Sequence, residues 1–348
     1  MKIKSLYVIS GACLVALLLA PLSGCAEPET ALAEYMVIGP IISTQWHQSN
    51  QSAGDYAKYS PIEPGSDGDN WRLGCWSIAL AQIFYYYRLA PHGTSIYDTS
   101  PGCAPRGLSC HIDEDFDSYD FTWSLFVNYF DSSTNDSQEN EVAKYAYYTA
   151  AAVQKDFGTF HYVGNAQTNF LDNFACTVQV YYLDEDEDDD DYSAEELQDI
   201  IIDEIRNGYP VMLYITNPSE GKAHAVVADG LWGTSYVHIN MGWGPGNCYD
   251  HTCNTFYSWG AFGDYNTISR VLAIRPKPPV ALLDTEKLME KMPPIGPNEC
   301  VRFTPVIQAG RDWTAEVIAA GDIQISSTYP DFWNTDYAEA ILPETPSR

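Results

Sequence analysis

Cys75 follows Gly74 and opens the run CWSIALAQIFYYYR, whose helix formers and terminal aromatics predict a helix from Cys75 to about Arg88. A helix N-terminus presents free backbone N–H groups and a partial positive charge. Both favour the thiolate, the nucleophilic form of cysteine. Gly74 would let a substrate backbone approach closely. Position alone also fits a buried structural cysteine or a disulfide partner.

A thiol nucleophile needs a base. His224 begins HAVVADG, and the next β-rich stretch, YVHIN, ends at Asn240. If the two pair as a hairpin symmetric about Trp232, His224 faces Asn240, and opposed side chains lie ~5 Å apart at Cβ. An amide oxygen taking one ring N–H would fix the imidazole tautomer and leave the other nitrogen for the thiol. Gln48 is a fourth candidate, because its side-chain N–H could join the Cys75 backbone N–H in holding an oxyanion.

These residues need elements to position them. A second helix is predicted over Gln138–Lys155 and a third from Ser193-Ala194-Glu195-Glu196, a capping box, to about Arg206. Residues 91–120 read as an irregular loop rich in Pro, Gly, Asp and Cys. Asp184–Asp191 is an acidic run without the spacing of a calcium loop, which favours a solvated, self-repelling segment. From Val211 onward VMLYI, HAVVA, YVHIN and SRVLAI are strands. Helices followed by an antiparallel half indicate an α+β domain over 36–276. Pro276-Lys277-Pro278-Pro279 marks a boundary, and residues 277–348 read as a C-terminal extension, a candidate small β module.

The 348 residues carry 47 acidic and 18 basic side chains, a formal charge of −29. Such a surface repels nucleic acid and anionic lipid. Residues 1–25 read as a targeting segment: Lys2 and Lys4 precede an apolar run that ends Leu22-Ser23-Gly24-Cys25. That ending resembles a bacterial lipobox, which implies a lipidated Cys25, a tether over 26–35 and export to the cell envelope, Ala26 and Glu27 being compatible with an outer-membrane destination. The competing reading is an ordinary secretory peptide. Apart from Cys13, Cys25 and Cys75, six of the nine cysteines remain: Cys103, Cys110, Cys176, Cys248, Cys253 and Cys300. An even remainder fits an oxidising compartment. Local closure of Cys103–Cys110 and Cys248–Cys253, with Cys176–Cys300 tying the extension to the core, is one pairing among several. No Cys-x-x-Cys pair occurs, which argues against a metal site.

Four stretches together resemble one family. They are T-x-W-x-Q (Thr44–Gln48), G-C-x-x-x-x-x-A-Q-I (Gly74–Ile83), H-A-x-V-x-D-G (His224–Gly230) and Y-x-H-x-N-x-G-W-G (Tyr236–Gly244). In order and spacing they are similar to the streptopain family (C10 type) of papain-like cysteine peptidases, over about residues 38–276. The resemblance implies the two-lobed papain-like α+β fold, with a helical lobe carrying the cysteine and an antiparallel β lobe carrying the histidine. It implies an endopeptidase without metal or cofactor, acting on protein or peptide substrates. By position Cys75 is the nucleophile, His224 the base, Gln48 the oxyanion donor and Asn240 the residue that orients the histidine. Gly74, Ala223, Met241 and Trp243 would border the substrate. A monomer is expected, with membrane contact through the N-terminal lipid and possible control by a separate inhibitor protein.

The chain departs from the family at several places. Lys222-Ala223 stands where Gly-Gly is usual, and Met241 where a tryptophan is usual. Tyr162-Val163-Gly164-Asn165-Ala166 replaces a glycine- and serine-rich loop, and only about ten residues separate Cys25 from the domain, where the family has a long pro-segment. Two rival functions follow: a catalytically silent peptide-binding lipoprotein, or an acyltransferase or amidase on the same Cys-His site.

Overall fold

Asn135 and Ser193 each end an extended stretch, and each side chain accepts backbone N–H from the turn it starts. Both form complete capping boxes, with Gln138 and Glu196 returning the bond. The helices they start are α2 (Asp136–Ala152) and α3 (Ala194–Arg206), and α1 (Cys75–Tyr86) precedes them. In this computed structural model the described residues are 36–51, 54–184, 191–245, 254–277, 299–306 and 312–319. The targeting segment with Cys25, the tether, most of the acidic run, the Cys248–Cys253 loop and the rest of the extension lie outside them.

Helix α1 is buried from Trp76 to Tyr86, which explains a sequence apolar on every side. It stops two residues before Arg88, whose φ of 57° is left-handed. It packs between α2 and the sheet strands that carry His224. Helix α3 is amphipathic instead, burying Leu197, Ile201, Ile202 and Ile205.

The described strands are β1 (Met36–Ile38), β2 (Asn50–Gln51), β3 (Gly54–Asp55), β4 (Thr94–Asp98), β5 (His111–Asp115), β6 (Cys176–Tyr182), β7 (Val211–Asn217), β8 (Lys222–Trp232), β9 (Tyr236–Asn240), β10 (Thr255–Ser258), β11 (Thr267–Pro276), β12 (Glu299–Val306) and β13 (Asp312–Ala319). Nine of them form one sheet, in the order β13-β12-β1-β8-β7-β11-β6, with β9 pairing β8 and β10. The strands after residue 277 continue this sheet: β12 lies parallel to β1 and antiparallel to β13.

Three sequence expectations are corrected here. Residues 91–120 are not wholly irregular, because β4 and β5 pair as a hairpin closed by a Cys103–Cys110 disulfide. In β4 exposed and buried residues alternate, a strand pattern hidden among turn-forming neighbours. The Cys176–Cys300 bridge does not form: Cys176 is a free, buried thiol. It opens β6 at one end of the strand order, while Cys300 lies on β12 beyond β11, β7, β8 and β1. The β8–β9 hairpin pairs Trp232 with Tyr236, so it folds about Thr234 and not about Trp232. An irregularity between Ala228 and Gly230 then sets Val227, not His224, opposite Asn240.

Candidate active site

Strand β9 pairs with β8 only from Val227 onward, so the part of β8 with His224 and Ala225 has no β9 neighbour. The N-terminus of α1 comes against that stretch, and the Ala225 backbone N–H reaches the Cys75 thiol. The N–H groups of Trp76 and of Cys75 itself also favour its charged form. Burial outweighs them and pushes the thiol pKa above its ordinary value. Lys155, Tyr162, Tyr214 and Tyr265 surround the same sulfur closely enough for their charges to couple with it.

Gly74 caps the helix with φ 83°, a conformation that a residue with a Cβ rarely adopts. A Cβ there would meet Lys155 Cε and Tyr162 Oη, each at 3.2 Å. Lys155 and Tyr162 therefore pack against this glycine from inside the protein.

His224 is buried beside two aromatic rings. Its imidazole lies nearly parallel to Trp243, with centroids 4.7 Å apart, and to Tyr265 at 5.7 Å. Its Nε2 is 2.8 Å from the Met241 carbonyl oxygen. A carbonyl only accepts, so Nε2 carries the proton and Nδ1 keeps its lone pair. Burial lowers the His224 pKa to about 4, against a smaller opposing effect of the Met241 carbonyl. Thiol and imidazole are not hydrogen-bonded to each other, and both environments favour the neutral forms.

Asn240 makes no hydrogen bond with His224. Its Nδ2 donates to Thr44 O (2.7 Å) and Gln82 Oε1 (3.1 Å), and its Oδ1 accepts from Gly242 N (3.0 Å). Gln82 Oε1 also takes Trp46 N–H at 3.1 Å. This buried amide pair ties α1 and the 44–46 segment to the turn whose carbonyl holds His224. The residue expected to orient the histidine thus bonds Gly242, next to the residue whose carbonyl meets His224.

Gln48 lies beside both. Its carbonyl accepts from Leu73 N at 2.9 Å and its N–H donates to Gly242 O at 3.2 Å. Its side-chain amide makes no hydrogen bond with the described residues. The residues expected to border the substrate divide. Ala223 is exposed and Trp243 half-buried, whereas the Met241 side chain is buried. Sequence reasoning missed Lys155, Gln82 and Tyr265. Gln82 stood within a quoted motif, but Lys155 and Tyr265 carried no signal.

Residues 46–250 match the model of the peptidase C10 family. Streptopain of Streptococcus pyogenes is 23% identical over 198 residues, which are 54% of this chain and 47% of that protein. The chain thus spans about half the length of the streptopain relatives it matches. The active wild-type interpain A cysteine protease of Prevotella intermedia superposes with a TM-score of 0.54 at 19% identity, covering 72% of this chain and 97% of that one. That likeness shows the papain-like α+β fold, and the family match spans Gln48, Cys75, His224 and Asn240 together. With a helix-borne thiol set against a strand-borne imidazole, the chain belongs to the peptidase C10 family.

Proposed function

We propose that this chain is a cysteine endopeptidase, with Cys75 as nucleophile and His224 as base. The observation that carries the reading is the polarity of His224: the Met241 carbonyl takes the Nε2 proton and leaves Nδ1 as the basic atom. Nδ1 accepts the thiol proton as sulfur attacks a peptide carbonyl. The Cys75 N–H and the unengaged Gln48 amide stabilise the oxyanion. Collapse breaks the C–N bond, and the imidazolium returns its proton to the leaving amine. Water then attacks the thioester, regenerating the thiol and releasing the acid. Asn240, Gly242 and Met241 hold the imidazole through the turn, and Trp243 and Tyr265 keep water from it.

The test is intact-mass labelling with an epoxide thiol-protease inhibitor. One adduct on Cys75, absent in Cys75→Ala and His224→Ala, is expected. A folded protein with a reduced Cys75 and no adduct would overturn the assignment. The neutral, unbonded pair favours one rival, a peptide-binding protein without turnover, and that outcome would select it. Lipid attachment at Cys25 and an envelope location belong to the same proposal. They rest on the Leu22-Ser23-Gly24-Cys25 sequence, and metabolic labelling with palmitate tests them.

A further inference from the structure

A lysine directly after a helix ordinarily extends into water. Lys155 does the reverse: it is 3% exposed. Its ammonium donates to three backbone carbonyls, Asp156 O at 3.0 Å, Thr159 O at 2.6 Å and His161 O at 3.3 Å. An ammonium has three N–H donors and no acceptor. All three are used, and a neutral amine could not make the same set.

This cage lies directly behind the nucleophile. The aliphatic stem of Lys155 packs tightly against Gly74, its Cε 3.2 Å from where a Cβ would stand. The three carbonyls belong to the 155–162 hairpin, closed by a Lys155–Tyr162 bridge. Tyr162 returns from that hairpin to place its hydroxyl at the same glycine, 3.2 Å from where a Cβ would stand. The ammonium and the Cys75 thiol act on each other electrostatically. Burial lowers the lysine pKa to about 8, and the charges of Asp156, then Cys75, oppose that fall.

We propose that Lys155 is a positioning residue for Cys75: its caged ammonium anchors the hairpin that backs Gly74 and holds a positive charge near the sulfur at neutral pH. The idea rests on Cys75 being the nucleophile. The neutral His224 supplies no charge to the resting thiol, so the backbone N–H groups of Ala225, Trp76 and Cys75, and then the lysine, are what favour the thiolate. The other titratable groups facing this sulfur are Tyr162 from the hairpin, Tyr214 from β7, Tyr265 from the turn before β11 and His224 from β8. None of these is charged at neutral pH, with His224 near 4 and the tyrosines raised.

The experiment follows alkylation of Cys75 by iodoacetamide against pH, by peptide mass mapping of the full chain, in wild type, Lys155→Met and Lys155→Arg. At pH 7, where the lysine is still charged, Lys155→Met should slow alkylation about tenfold, with Lys155→Arg recovering most of the loss. In wild type the rise of the alkylation rate with pH should flatten near pH 8, where the lysine loses its proton. This second measurement decides the matter if Lys155→Met does not fold. An unchanged alkylation rate at pH 7 in folded Lys155→Met, or a wild-type profile without the flattening near pH 8, overturns the proposal. Neither readout needs peptide cleavage, so failure of the peptidase reading would be seen separately.

Discussion

The imidazole Nε2 of His224 is held at 2.8 Å by the backbone carbonyl of Met241, a residue whose own side chain is buried. The contact depends on where the turn after β9 lies and not on which side chain stands at 241. The usual tryptophan can therefore be absent without loss of this hydrogen bond.

The low pKa of His224 has a consequence for stability. Its unfolded value is near 6.5 and its folded value about 4, so between them the unfolded chain binds more protons. This contribution is fully present above pH 6.5 and is lost as pH falls towards 4. It amounts to roughly 3 kcal/mol across that window. Thermal melts from pH 4 to 7 should show a shallower slope in His224→Gln than in wild type. Parallel slopes would contradict the buried neutral imidazole.

Asn240→Ala strands buried partners at Thr44, Gln82 and Gly242 at once. A loss of about 2–4 kcal/mol in urea denaturation is expected. Gln82→Ala should reproduce much of it. If Asn240 served His224 directly, inhibitor labelling would fall with little change in stability.

Gly74→Ala introduces a Cβ at φ 83° against Lys155 and Tyr162. The backbone conformation, with ψ 161° as well as positive φ, alone costs about 1–3 kcal/mol. The lysine stem must also shift, so the alkylation rate of Cys75 should change along with the melting temperature. A fall in stability with an unaltered rate would separate the glycine from the thiol.

Cys103 and Cys110 close a short loop, and the Cys103 carbonyl accepts the Trp71 indole N–H at 3.0 Å. Trp71 lies four residues before the nucleophile. Cys110→Ala should cost about 2–3 kcal/mol by chain entropy. Guanidinium titrations with and without reductant should show the wild-type difference vanish in the mutant.

The parts of this site visible in the sequence were those with a local signature. Ser193 with Glu196 marks a helix start by spacing alone, and Gly74-Cys75 marks another by its apolar continuation. The hairpin between β8 and β9 was visible, but its register was not. A turn centred two residues later and an irregularity at Asp229 move His224 away from Asn240, and neither leaves a trace in residue types. Asp229-Gly230 in the histidine motif proves to be scaffolding. The carboxylate holds Ile42 N–H at 2.9 Å and His238 Nδ1 at 2.6 Å, and a Cβ on Gly230 would strike Ile38 O. Lys155 was read as the last residue of a helix because its three carbonyl partners exist only once the hairpin has folded over it.

The parallel pairing of β1 with β12 joins residues 36–38 to residues 301–303. A ribosome must deliver more than 260 further residues after β1 before that partner exists. Until then β1 has β8 on one side and an open row of amide groups on the other, available to a neighbouring nascent chain. Contacts so distant in sequence close slowly and late. Expression yield should therefore be more sensitive to truncation after residue 277 than the chemistry at Cys75, which lies wholly within the earlier-synthesised part.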